Sequence, residues 1–251
     1  DAWLGKATET IFLAPIKMTL VPEILDMEMP VEGVFHNLVI AKIQKDYAGQ
    51  AQKVMNAMWG AGQMMFNKIL VVTSPNSSKG EDPETSVLTN YANVAKEVFK
   101  NLNPFTDIYF SQGPMDVLDH SCSKMGFGGK MCIDGTFRYD EEKDDLFSSM
   151  PCRFTTQSAQ ELLQLFPEVK AVNCSLIEKE ISCLILSVEK NKKYHIKELH
   201  NSICRLQSIE GMKMILYVEH AVDVNDLPVA LWRFCNNLDP KRDHFIVKKQ
   251  L

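Results

Sequence analysis

The chain has 251 residues, 45% of them hydrophobic, and a formal net charge of -5 at pH 7. That length suits one large domain or two ordinary ones with sizeable cores. No apolar run reaches the roughly 20 residues of a membrane helix, no basic-then-apolar leader opens the chain, and the acidic balance argues against a broad nucleic-acid footprint. A cytoplasmic protein with a small-molecule or protein partner is therefore expected. Because the first residue is Asp1, a piece of a longer chain or a processed product is expected too.

In chain order, Leu20-Val21-Pro22-Glu23 leads through a short apolar segment to a strand over 34–43, where Val, Ile and Leu suit a buried pleated surface. A helix follows over about 49–60, with Ala51, Val54, Met55 and Met58 on one stripe. Next come a strand over 68–72, the polar stretch Ser74 to Ser86 as a surface loop, a helix over about 87–101 and a strand over 107–110. The charged run Asp140 to Asp145 reads as a solvated linker. The order then returns: Leu165-Phe166-Pro167-Glu168 answers Leu20 to Glu23, and strands over 181–188, 212–218 and 244–247 alternate with helices over about 196–206 and 224–236. Asn237-Leu238-Asp239-Pro240 answers Asn101-Leu102-Asn103-Pro104, and the extra residues of the first copy fit the polar loop. The expectation is a layered α/β fold with mixed or mainly parallel sheets and flanking helices, apparently duplicated, with domains at 1–147 and 148–251.

The candidate sites are sparse. Seven cysteines, an odd number without a C-x-x-C pair, read as reduced core thiols rather than a metal knuckle or disulfide framework. GFGGKMCIDGT, Gly126 to Thr136, reads as a glycine loop beside a lysine, but Lys130 is followed by Met131 and not by the Ser or Thr of a Walker loop. Gly126, Gly128 and Gly129 also miss the dinucleotide spacing, which leaves a backbone able to approach a ligand, with one cation beside it. His120, next to Asp119 and near Asp116, is a candidate oriented imidazole, although no serine or cysteine nucleophile can be tied to it. Glu28 and Glu32 flank Pro30 and invite an acid/base reading, against which stands a plain turn before a strand. His195 and His200 fit one helical face poorly and complete no metal site. Met55, Met58, Met64 and Met65, with Trp59 and Trp232, read as packing.

Several segments together resemble the UbiD family of decarboxylases, which use prenylated flavin mononucleotide on aromatic and other unsaturated acids. They are Trp3 to Gly33, Tyr47 to Gly60, GPMDVLDHS from Gly113 to Ser121, GFGGKMCIDGT, and Val222 to Val247 in the second copy. The resemblance is to the carboxyl-terminal part of that family. It implies an amino-terminal flavin-binding domain as partner, which carries the prenylated FMN, a metal ion and potassium together with the catalytic residues. No catalytic, cofactor or metal residue is therefore carried over to this chain, which alone is expected to be inactive. Lys130, Gly128 and Gly129 become expected cleft-facing residues, with Lys130 near a flavin phosphate or substrate carboxylate. A homo-oligomer is implied, and a hydroxybenzoate-type precursor of quinone synthesis is the implied substrate. The alternative from another class is a non-catalytic assembly module built on a duplicated α/β domain.

Overall fold

A computed structural model describes residues 2–75, 87–143 and 151–247. Most of the polar stretch Ser74 to Ser86 and the end of the run Asp140 to Asp145 lie outside the described residues. The chain divides into two compact units, Asp1–Asp145 with Cys235–Asp243, and Leu146–Phe234 with His244–Leu251.

The first unit contains α1 (Ala2–Thr19), β1 (Ile24–Glu28), β2 (Leu38–Ile43), α2 (Gln50–Trp59), β3 (Ile69–Thr73), α3 (Tyr91–Asn101), β4 (Ile108–Pro114) and β5 (Phe127–Asp134). Its five-stranded sheet has the order β1-β2-β3-β5-β4. β2, β3 and β5 are parallel, and the two edge strands run antiparallel to their neighbours. The sheet is thus mixed. All six residues of β2 are buried, as its unbroken LVIAKI run requires of a parallel strand covered on both faces. Ala51, Val54 and Met58 place one face of α2 against Val39, Ala41, Leu70 and Val72, joined by Ile16 of α1. Each such large side chain contributes about 1.5–3 kcal/mol of burial. Met55 is only partly buried at the margin of this core.

The glycine-lysine segment is not a loop. It forms β5, paired on one side with β3 and on the other with β4. The turn lies before it, at Gly126 with φ 69°, a left-handed conformation that suits glycine. Gly128 and Gly129 serve close packing: a Cβ on Gly128 would stand 2.5 Å from Cys122 Sγ, and one on Gly129 would meet Asp239 Oδ1 and come within 2.6 Å of the Lys241 backbone nitrogen.

The second unit contains α4 (Thr156–Leu165), β6 (Val169–Asn173), α5 (Ser175–Glu178), β7 (Cys183–Val188), α6 (His195–Ile203), β8 (Met214–Glu219) and most of α7 (Leu227–Asn237). Thr155 caps α4, accepting the Ser158 N–H at 3.3 Å while Ser158 Oγ accepts the Thr155 N–H at 3.2 Å. The sheet order is β6-β7-β8, antiparallel then parallel. Phe154, Leu162, Leu184, Leu186 and Leu199 fill one core, and Ile185, Val218, Val224 and Ala230 another. The strand expected over 244–247 does not form; an apolar run becomes a strand only where a neighbour accepts its backbone bonds, and none of the three strands pairs with it.

The two units share local details. β1 carries a register shift between Ile24 and Asp26, and β6 one between Val169 and Ala171. The Gln44 N–H donates to Glu23 O at 2.8 Å, and the Glu189 N–H to Glu168 O at 2.8 Å. α2 follows left-handed Gly49 and α6 follows left-handed Tyr194. The first residue of each helix reaches back: Gln50 Oε1 accepts the Asp46 N–H at 2.6 Å, and His195 Nδ1 accepts the Asn191 N–H at 3.3 Å.

Candidate functional site

Three lysines of the first unit are almost wholly buried, and sequence alone singled out one of them. Lys130, on β5, is 2% exposed. Its ammonium donates to the carbonyls of Met65 and Asn67, each at 2.7 Å, and lies 5.9 Å from the Trp59 ring centroid. Desolvation, with no carboxylate in contact, brings its pKa down to about 8. The side chain therefore ties β5 to the turn before β3.

Lys68, at 0% exposure, forms an ion pair with Asp119 at 2.7 Å. It also donates to Ser121 Oγ at 3.1 Å and to the Cys235 carbonyl at 2.8 Å. Asp119 Oδ1 accepts both the Ser121 N–H and its hydroxyl hydrogen bond, at 2.8 and 2.6 Å. The Arg242 guanidinium closes the group by donating to Ser121 O at 3.0 Å. Asp119 Oδ2 accepts no hydrogen bond and has Lys68 as its counter-ion, so the buried charge is tolerated through that ion pair and the bonds of the neighbouring atoms.

Lys45 is 1% exposed. It donates to Thr136 Oγ1 at 2.9 Å, to Phe137 O at 2.8 Å and to both oxygens of Glu142, at 2.8 and 2.6 Å. Glu142 also accepts the N–H of Gly49 at 2.8 Å, so it serves as the acceptor at the start of α2, which has no side-chain cap of its own. Burial pushes the Glu142 carboxyl up, but Lys45 and the backbone donors outweigh it and hold it below the usual carboxylate range. The charged run read as a linker therefore supplies an anchoring residue.

The other sequence candidates separate. His120 is exposed, and neither neighbouring aspartate serves it: Asp119 pairs with Lys68, while Asp116 Oδ2 lies 2.7 Å from Nδ1 of His36. The oriented imidazole is His36, 2% exposed, with its Nε2 buried and without a hydrogen-bond partner. Burial lowers its pKa despite Asp116. No local spacing could signal a partner so far along the chain. Glu28 is 5% exposed, accepts the Tyr91 hydroxyl at 2.7 Å and pairs with Lys6, whereas Glu32 has a carboxylate oxygen buried without a partner. The two glutamates do not share a proton-transfer contact. Glu9 joins Glu28 instead, accepting the Met29 N–H at 2.6 Å, and burial raises its carboxyl pKa. His195 and His200 have different partners, Glu168 at 3.4 Å and the Tyr217 hydroxyl at 2.9 Å. All seven cysteines are free thiols. Among the described residues no group of three His, Cys, Asp or Glu could hold a metal, and no helix is long and apolar enough to cross a membrane.

The family model for the 3-octaprenyl-4-hydroxybenzoate carboxy-lyase C-terminal domain matches residues 2–135 and 151–250. The chain belongs to the UbiD family. Uncharacterized proteins of Helicobacter pylori strain J99 and Archaeoglobus fulgidus are similar to this UbiD domain. The first is 32% identical over 248 residues, 97% of this chain and 36% of that protein; the second is 43% identical over 143 residues, 57% and 28%. The chain thus spans about a third of the length of these relatives. Among solved structures, the UbiD-class enzyme HmfF from Pelotomaculum thermopropionicum, in complex with FMN, is 23% identical with a TM-score of 0.42, over 59% of this chain and 31% of its own. Vanillic acid decarboxylase of Sedimentibacter hydroxybenzoicus in open form is 22% identical with a TM-score of 0.44, over 60% and 30%.

Proposed function

We propose that this UbiD domain is the carboxyl-terminal part of a longer decarboxylase that acts on an aromatic acid with prenylated FMN, and that it closes and braces the substrate cleft without itself holding the cofactor. The family match over residues 2–135 and 151–250 carries the reading. The donor sets of the first unit support the division of labour. Lys45, Lys68 and Lys130 each donate to protein oxygens, so these three ammonium groups are engaged within the domain and not by a flavin phosphate. The described residues likewise do not fit a metal ion. Supplying the electron sink for a developing carbanion is the cofactor's work, and it is assigned here to the amino-terminal domain of the same protein. Lys130, Gly128 and Gly129 act in this reading as positioning residues that hold β5 beneath the segment 115–126.

The shared bulge, left-handed helix start and reach-back hydrogen bond support an internal duplication, with the second copy serving assembly into a homo-oligomer. A hydroxybenzoate-type substrate of quinone synthesis is the first to assay. The test is carboxylate loss from such acids by the whole protein, co-expressed with a prenylated-flavin synthase. Turnover that follows the prenylated flavin supports the assignment; a protein that retains prenylated FMN yet decarboxylates no aromatic acid would remove it.

A further inference from the structure

A second feature of the first unit is not used by the decarboxylase reading and does not depend on it. At the carboxyl ends of β2 and β5, where open α/β sheets place their ligands, lies a cleft of about 170 Å³ whose lining includes Gln52, Thr106, Tyr109, Asp134, Arg138 and Glu142. The cations beside it are already engaged by oxygens of the chain. Lys45 holds Thr136, Phe137 O and both Glu142 oxygens. Arg138 donates to Asn101 O and Glu142 O, each at 2.9 Å, and pairs with Asp107. An anionic ligand would meet cations that already have carboxylate partners, Lys45 with Glu142 and Arg138 with Asp107.

Asp134 is in the opposite condition. It is 9% exposed, and its Oδ1 accepts the Thr136 N–H at 3.0 Å and hydroxyl at 2.6 Å. Its Oδ2 receives no hydrogen bond from the described residues, and Asp134 is part of the cleft lining. Burial raises its pKa, with Asp107 adding to the effect. Lys45 and Arg138 against Asp107, Asp134 and Glu142 leave the lining one negative charge in excess. The remaining oxygens suit donors: Thr106 spends its own proton on Asp107 at 2.8 Å and keeps its lone pairs, and the Tyr109 hydroxyl and Gln52 amide stand beside it. A single free carboxylate oxygen is too few anionic ligands for a divalent metal. It suits a compact cation with several directed N–H donors.

We propose that this cleft binds a small primary ammonium group, with Asp134 as its counter-ion and the oxygens of Thr106, Tyr109 and Gln52 as further acceptors. GFGGKMCIDGT then presents a ligand at Asp134, at the end of β5, and not at Lys130.

The probe is methylammonium chloride, titrated into the ¹⁵N-labelled chain at constant ionic strength, with potassium chloride and tetramethylammonium chloride run alongside. Saturable shifts of the Gly135 and Thr136 amides are expected with methylammonium alone, because tetramethylammonium has charge but no donors. Asp134→Asn keeps the acceptor for Thr136 and removes the charge, so binding should weaken by about tenfold or more. Should that variant unfold, exposed Gln52→Ala replaces it and weakens binding several-fold. Equal shifts with potassium or tetramethylammonium, no saturable shift at all, or undiminished binding by a folded Asp134→Asn would each overturn the proposal.

Discussion

Replacing Lys68 by Met tests how the first unit holds its late segment Cys235–Asp243. Lys68 is 0% exposed, the Asp119 side chain is 1% exposed, and their charges lie 2.7 Å apart. Removing the ammonium leaves the Asp119 charge buried without a counter-ion, a change that costs about 3–5 kcal/mol. The lost bonds to Ser121 Oγ and Cys235 O act within the same network and do not simply add. The double variant Lys68→Met, Asp119→Asn removes both charges while keeping an acceptor for Ser121, and should recover more than half of the loss. Urea unfolding, read through hydrogen exchange at the β3 and β5 amides, isolates the first unit. Exchange at residues 238–243 should accelerate first, because Arg242 donates to Ser121 O at 3.0 Å and Ser121 Oγ lies 2.9 Å from Leu238 O. A loss below about 1 kcal/mol, the range of surface pairs, or a double variant no better than the single one, would refute the reasoning.

Gly129→Ala should cost about 1–3 kcal/mol by overpacking, since the new Cβ meets Asp239 Oδ1 and the Lys241 backbone nitrogen; chemical denaturation checks it. Glu142→Gln removes the charge that Lys45 and the Gly49 N–H share and should lower stability by about 1–3 kcal/mol at neutral pH. That difference should vanish in acid: the native Glu142 pKa is depressed, so its contribution is present above the unfolded value near 4.5 and is lost as pH falls through the native one. His36 gives a slope at higher pH. Burial depresses its native pKa below 6.5, so its contribution is intact above 6.5 and declines as pH falls from there towards the native value, where the unfolded state binds the extra proton. His36→Phe should flatten that part of the stability profile, as measured by thermal unfolding.

The apolar runs were the legible part of this sequence. LVIAKI and ILVVT announce β2 and β3 because a parallel strand buried on both faces has no polar side to disguise it. The stripe Ala51, Val54 and Met58 announces α2 for the matching reason in helices. β5 was misread because glycine is a local signal for turns, whereas Gly128 and Gly129 answer a tertiary demand for close approach by Cys122 and Asp239. The strand expected over 244–247 failed for the converse reason: propensity without a pairing neighbour does not make a strand. Lys45, Lys68 and His36 could not be ranked from sequence, since their partners Glu142, Asp119 and Asp116 are brought near only by the fold. Family resemblance reached further than spacing, because it draws on long ordered segments where each local motif is weak.

Cofactor retention tests the central claim most directly. Residues 1–251 and the longer protein, each produced with a prenylated-flavin synthase and desalted, are compared by flavin absorbance. Flavin in the longer protein and none in residues 1–251 is the predicted result, since Lys45, Lys68 and Lys130 already hold protein oxygens. Stoichiometric flavin on residues 1–251 alone would contradict it.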